Sequence, residues 1–331
     1  RIEPVAGQCI YGLGDQAGPF NLNGARRQLW NTDPGGSFGP RADPIYMPLP
    51  VACVQHPAGS YLVFYENSFS GQVDMTATQP GSGFQTFHFS KGALRYYLIC
   101  GAIPDLINRF SELTGRPELP PLWSLGYHQS RWGYKSEADI REVVAGFEEQ
   151  QMPLSAIHLD IDYMDGYRVF SVDQERYPNL AGLAQELEQK NIKLVPIIDP
   201  AVKKDPAYPL YQQGVENDLF CKLPNGKTLH GLVWPGWSAF PDFTKPQTRA
   251  WWGENYRPLL NQGMAGIWHD MNEPTSFSAW GGMALPLSTI HDLEGTPGDH
   301  LQAHNLYALQ MNRAGYEALK RLRPDRRPWL I

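Results

Sequence analysis

Six acids fall where they could share one chemical task. Residues 156–161 read as a strand that runs into Asp160-Ile161-Asp162-Tyr163-Met164-Asp165. Residues 192–198 read as a strand leading into Asp199-Pro200, and residues 265–269 as one leading into Asp270-Met271-Asn272-Glu273-Pro274. Carboxylates gathered in one cleft repel each other, so three strand ends that each deliver acids point to a task. Two carboxyl groups flanking a glycosidic bond can hydrolyse it. One, ionised, attacks the sugar or stabilises an oxocarbenium-like transition state, while the other, protonated, donates to the leaving oxygen. Trp132, Trp234, Trp237 and Trp268 accompany the acids, and flat rings suit the C–H faces of a pyranose whose hydroxyls the acids would bind. The competing reading makes each Asp a turn former or helix cap and makes Trp268 a packing residue on a buried strand. Spacing alone leaves Asp270 and Glu273 undecided between roles.

The elements that must hold these acids alternate in type. Residues 1 to about 101 carry short β-rich runs, such as Tyr61-Leu62-Val63-Phe64-Tyr65, separated by clusters such as Gln79-Pro80-Gly81-Ser82-Gly83. That spacing predicts a sandwich. A helix is expected over 104–114, and Arg116-Pro117-Glu118-Leu119-Pro120-Pro121 is a stiff extended boundary, because each Pro fixes φ and biases its predecessor away from helix. Residues 123–128 then read as a strand. Ser136 with Asp139 resembles a capping box, and Ile140, Val143, Val144 and Phe147 have helical spacing, as do Leu180, Leu183, Ala184 and Leu187. An irregular excursion over about 200–245 precedes a helix at about 247–261, and a helix at about 301–322 leads to a fifth strand at 329–331. Alternating β and α units predict a parallel sheet. A doubly wound sheet usually carries a glycine fingerprint after its first strand, and Arg131-Trp132-Gly133-Tyr134 is not one, so a (β/α)₈ barrel is favoured. Its strand C-termini would share the face that carries the active site. The expected architecture is a partial N-terminal β-sandwich with a linker helix over 1–118, then the first half of the barrel over 119–331.

Composition narrows the classes. Lys and Arg total 28 against 34 Asp and Glu, a net charge of −6, which argues against a nucleic-acid partner bound through a broad basic surface. No apolar run reaches the roughly 18 residues of a membrane span, so no membrane partner is expected. The hydrophobic share of 42% excludes disorder. Cys9, Cys53, Cys100 and Cys221 lie far apart without a CxxC pair and are expected as reduced packing residues. A cytoplasmic location is the accompanying expectation.

With those residues in view, Gly266-Ile267-Trp268-His269-Asp270-Met271-Asn272-Glu273-Pro274 resembles the signature of glycoside hydrolase family 31, the retaining α-glucosidase group. Residues 123–134, 159–165, 198–201, 233–236 and 240–243 resemble the family's other blocks in the same order, and Asn31-Thr32-Asp33 resembles the loop that the sandwich inserts into the family's pocket. The resemblance implies that Asp270 is the nucleophile that forms a glucosyl ester, and that Asp33 and Asp160 bind hydroxyls of the sugar in subsite −1. It makes Trp132, Ile197, Trp234, Trp268 and Met271 pocket walls, and Glu273 a partner that holds the nucleophile's loop. It implies no cofactor and no metal. The implied substrate is an α-glucoside or malto-oligosaccharide. In the family the acid/base Asp follows strand six and an Arg follows strand five; neither position falls within this sequence. The 331 residues are therefore expected to be part of a larger enzyme, inactive and poorly soluble alone.

Other readings compete. An α-xylosidase or an α-glucosyltransferase would use the same scaffold, and a non-catalytic sugar-binding homologue would not need Asp270. A metal-dependent barrel enzyme would use the strand-end acids as ligands. Against it, His128, His158 and His269 have no metal-ligand spacing, and pleating turns His269 away from Asp270. No P-loop or basic cluster serves a phosphate. The run from Lys320 to Arg327 reads as a solvated helix end.

Overall fold

The structure is a computed structural model that describes residues 1–36, 38–277 and 283–331. Its N-terminal strands are β1 (Cys9–Gly14), β2 (Arg26–Leu29), β3 (Pro48–His56), β4 (Gly59–Tyr65), β5 (Gly71–Asp74), β6 (Thr86–Phe89) and β7 (Tyr96–Gly101). They pair in the orders β1-β3-β4-β7 and β2-β5-β6, antiparallel throughout. Alternate residues of the two sheets face one another, so Ile10, Val54 and Val63 share a core with Leu29 and Val73, which makes the sandwich. Helix α1 (Ile103–Thr114) follows, with Pro104 in its first turn.

The second part alternates strands and helices: β8 (His128–Gln129), α2 (Glu137–Glu149), β9 (Ala156–Leu159), α3 (Leu180–Gln189), β10 (Lys193–Ile198), β11 (Val202–Lys203), α4 (Pro209–Glu216), β12 (His230–Val233), β13 (Gly236–Ala239), α5 (Pro246–Glu254), α6 (Arg257–Asn261), β14 (Trp268–His269), β15 (Ile290–His291), β16 (Gly298–Asp299) and α7 (His300–Leu322). The expected capping box is formed. Asp139 N–H donates to Ser136 Oγ, and Asp139 Oδ2 accepts from Ser136 N–H.

Strand order decides the fold. The parallel sheet runs β8-β9-β10-β14, and Leu330 pairs in parallel with Ile267 beyond β14. Neighbours in space are neighbours in sequence, with no switch point of a doubly wound sheet. The sheet also curls. Trp329, at one end of that order, lies 5.3 Å from the His128 ring at the other and 5.9 Å from His158 between them. Gly266 permits this, since a Cβ there would sit 2.6 Å from the Trp329 ring. The result is half of a (β/α)₈ barrel with its interior filled by rings.

Five expectations are corrected. Residues 123–128 are not one strand: Leu122–Leu125 is a 3₁₀ turn, closed by donation of Ser124 N–H and Oγ–H to the Pro121 carbonyl, and strand starts only at His128. The excursion over 200–245 is ordered as α4 and the three-stranded sheet β11-β13-β12. The helix at 247–261 is two helices, because Pro258 in the first turn of α6 has no N–H with which to continue α5. The cationic tail is more than a solvated end, since half-buried Arg323 donates to the carbonyls of Leu260 and Met264. The cysteines are all free, yet only Cys221 is buried and Cys100 is exposed.

Candidate active site

Backbone register turns the strand-end acids inward. His269 points out of the barrel: its Nε2 accepts from Tyr256 Oη at 2.7 Å, and its Nδ1 lies 2.6 Å from Asn312 Oδ1 on α7. By pleating, Trp268 and Asp270 then face the interior. Ile197 pairs with Trp268 and Ile198 with His269, so Ile197 and Asp199 face inward. His158 contacts Trp268 and Trp329, which puts Asp160, two residues on, on the same face. The interior is thus layered. His128, His158, Ile197 and Trp268 lie below, and Asp160, Asp199 and Asp270 form the rim at the C-terminal strand ends.

The other acids separate by their partners. Asp162 is paired with Arg176 and Asp165 with Arg168, so neither is free for the rim. Asp160 Oδ1 accepts from Ile161 N–H at 2.7 Å. Glu273 is buried and accepts from Thr275 Oγ at 2.8 Å. Asp33 arrives from the sandwich on the loop after β2, with its Oδ1 accepting from Gly35 N–H at 2.8 Å. Among the described residues no Lys or Arg pairs with Asp33, Asp160, Asp199, Asp270 or Glu273. Nor, among them, do three rim acids bring ligand oxygens close enough to hold one metal ion.

Burial and mutual repulsion set the electrostatics. Burial raises Asp270 above its ordinary range, the Met271 N–H opposes that, and the Asp33 charge adds to it. Asp160 is raised by burial and then by Asp270. Glu273 is raised by burial against the Thr275 hydrogen bond. Met271 has φ +57°, a left-handed turn rare for a side-chain-bearing residue, and it ends the strand direction at Asp270.

The expected walls fall in two sets. Trp132, 62% exposed, stands 5.7 Å from Trp234, which stands 4.8 Å from Phe277, giving an open aromatic lip. Trp268 is half-buried, Met271 is buried at the rim, and Ile197 is buried in the main core. None of the proposed site residues lies outside the described residues.

Two residues outside the assigned set feel the field of the rim acids. Tyr46, from the sandwich, has its hydroxyl raised by burial and then by Asp33, Glu273 and Asp270. Its distance along the chain hid it. Asp199 was visible as a strand-end acid, and its burial was not. It is 6% exposed, its Oδ1 has no hydrogen-bond partner among the described residues, and its carboxyl is raised well above the usual range by burial and then by Asp270, Asp160 and Glu273. A carboxyl raised on folding binds more protons folded than unfolded, so its contribution to stability falls as pH rises from the ordinary value near 4 through the raised one. Asp199→Asn is therefore expected to raise the thermal midpoint at pH 7 and to flatten its decline as pH rises above the ordinary carboxylate range. A lower midpoint at pH 7 would show that ionised Asp199 is stabilising.

Comparison with known proteins identifies the family. The glycosyl hydrolases family 31 TIM-barrel domain matches residues 117–331, and the glycosyl hydrolase 31 N-terminal galactose mutarotase-like domain matches 4–74. Alpha-glucosidase 2 of Bacillus thermoamyloliquefaciens is 41% identical over 97% of this chain and 40% of its own length. Human neutral alpha-glucosidase AB is 32% identical over 94% of the chain and 35% of its own. Among solved structures, a Flavobacterium johnsoniae GH31 dextranase complexed with isomaltotriose superposes with TM-score 0.88 at 26% identity, covering 99% of this chain and 39% of that one. The Bacteroides thetaiotaomicron family 31 alpha-glucosidase gives 0.84 at 30% identity, covering 100% and 53%. The chain spans 40% or less of the length of these two curated relatives. It belongs to glycoside hydrolase family 31.

Proposed function

We propose that the chain supplies the nucleophile and the subsite −1 pocket of a retaining, exo-acting α-glucosidase that removes terminal α-glucose from maltose-type oligosaccharides. The observation that supports this is Asp270 at the inward rim, without a Lys or Arg partner among the described residues and within the field of Asp33, Asp160 and Glu273. In this reading Asp270 Oδ attacks the anomeric carbon and the leaving oxygen takes a proton from an acid outside residues 1–331. A glucosyl ester forms, and water then hydrolyses it. Asp33 and Asp160 hold hydroxyls of the sugar, and Trp132, Trp234, Trp268, Ile197 and Met271 wall the pocket. Glu273, held by Thr275, supports the loop. We set the boundary between sandwich and barrel at 118/119; the start of the barrel-domain match at residue 117 supports it.

The discriminating experiment is product analysis with the family-length enzyme. Glucose released from maltose, with no xylose from isoprimeverose, is expected; the reverse would transfer the site to α-xylosides. Isomaltotriose belongs in the same panel because it occupies the solved dextranase. Residues 1–331 alone are expected to be inactive and poorly soluble. Among the described residues the half-barrel leaves a strand edge unpaired at β8, and unpaired edges promote association. Measurable maltose hydrolysis by that polypeptide would overturn the part of the reading that puts the acid elsewhere.

A further inference from the structure

A line of buried histidines connects the barrel to the loop that carries Asp33. His304 on α7 reaches the Asn31 carbonyl through Nε2 at 2.7 Å, and Trp30 stacks on its ring at 3.6 Å and 4°. His304 Nδ1 lies 2.9 Å from His300 Nε2, His300 Nδ1 lies 2.9 Å from His291 Nε2, and His291 Nδ1 lies 3.2 Å from Asp242 Oδ1. His291 is 1% exposed, and His300 and His304 are fully buried.

Proton counting makes this line unusual. A carbonyl oxygen only accepts, so His304 carries its hydrogen on Nε2 and accepts at Nδ1. His300 must then donate from Nε2 and accept at Nδ1, and His291 must donate from Nε2. The far end is an acceptor too. Asp242 already receives Thr244 Oγ at 2.6 Å, Thr244 N–H at 3.2 Å and Asp292 N–H at 2.8 Å, the environment of an ionised carboxylate. Four links between two acceptors need four hydrogens, and three neutral imidazoles supply three. Burial, with the neighbouring histidines, holds His300 well below its ordinary range, and burial holds His304 at about 4, so both are neutral. His291 Nδ1 has two neighbours, Asp242 Oδ1 at 3.2 Å and the Cys221 thiol at 3.8 Å, and the thiol has a nearer acceptor in the Pro241 carbonyl at 3.6 Å, so the fourth hydrogen belongs between His291 and Asp242.

The line also has a mechanical role. The Asn31 N–H donates to Asn305 Oδ1 at 2.9 Å, and Asn305 Nδ2 donates to the carbonyls of Leu29 and Ser68. Adjacent residues of α7 therefore hold both polar groups of the Asn31 backbone, two residues before Asp33.

We propose that Asp242, His291, His300 and His304 form a buried chain that retains one extra proton and positions Asp33 through the Asn31 carbonyl. As positioning residues they touch no substrate. The step to activity rests on the reading of Asp33 as a sugar ligand; the proton and the loop position do not.

Neutron diffraction from perdeuterated, family-length enzyme tests the proton directly. Deuterium is expected on Nε2 of all three histidines and between His291 Nδ1 and Asp242 Oδ1, with none on Nδ1 of His300 or His304. An empty Asp242–His291 link, a reversed tautomer, or a divalent cation shared by Asp242, His291 and the nearby Cys221 overturns the chain. Crystals of His304→Ala test the positioning: the Asn31–Asp33 backbone is expected to move, and KM for maltose to rise roughly tenfold or more. His304→Gln, whose amide can still donate to the Asn31 carbonyl, is expected to restore both. An unmoved loop in His304→Ala overturns the positioning role. A moved loop with unchanged KM supports the positioning and removes Asp33 from the sugar site.

Discussion

Asp270→Ala in the family-length enzyme is expected to lower kcat/KM for maltose by at least about 10⁴-fold, the scale on which loss of an enzymic nucleophile is felt. Asp270 is the rim acid placed inward at the end of β14, and no neighbouring acid has the same position. Asp270 and Asp160 each accept from the next residue's N–H, and Thr275 and the Gly35 N–H hold Glu273 and Asp33, so it is the inward position at the end of β14 that sets Asp270 apart. The space left by the side chain should admit a small anion. Added azide is expected to restore turnover, and its product should be the β-glucosyl azide, because attack comes from the face the carboxylate occupied. Glu273→Gln provides the contrast. An amide oxygen can still accept from Thr275, so the expected loss is under about 100-fold, within the range of a group that orients another. Equal losses in the two variants, without azide rescue of the first, would exchange their roles.

Trp252→Ala should have the largest effect on folding. Trp252 on α5 is 0% exposed and meets Phe170 and Phe243 edge-on at 4.8 and 5.2 Å. Loss of such a ring costs about 3–5 kcal/mol. It also begins a fully satisfied donor chain: Nε1–H donates to Tyr256 Oη at 2.8 Å, Tyr256 donates to His269 Nε2, and His269 Nδ1–H donates to Asn312. Burial lowers His269 to about 4, so it serves here as a neutral ring. The melting midpoint of the enzyme is expected to fall by roughly 5 °C, because the shift per kcal/mol shrinks as the unfolding unit grows. A fall below about 2 °C would mean that the neighbouring rings close the gap. Because His269 precedes Asp270, the surviving folded fraction should also show reduced kcat.

What the sequence displays is local. The Ser136 capping box, the 180–187 helical stripe and the strand ends at Asp160, Asp199 and Asp270 each depend on residues a few positions apart, and each is present. Pleating alone sets His269 outward. The hidden parts arise from long-range contacts. Tyr46 and Asp270 are separated by most of the barrel sequence, and His291, His300 and His304 gain meaning only beside Asp242 and Asn31. His128 and His158, at 3.1 Å, look scattered until β8 lies against β9. Asp199 carries no mark in sequence that distinguishes a buried carboxyl from a turn former. The 3₁₀ turn at Leu122–Leu125 follows from the Pro121 carbonyl, a contact that β-propensity does not describe.

Strand order has a consequence for synthesis. Each strand of the parallel sheet, from β8 to the pairing at Leu330, borders the strand of that sheet made before it, so each one emerging from the ribosome finds its docking edge already in place. The growing sheet need not wait for a later partner. The interval it closes is shorter at β8–β9 and β9–β10 and long at β10–β14, where β11 to β13 and three helices intervene, so that closure is the slow one. What stays open meanwhile is the β8 edge, the oldest part of the sheet, where a premature encounter with another nascent chain would do the most harm.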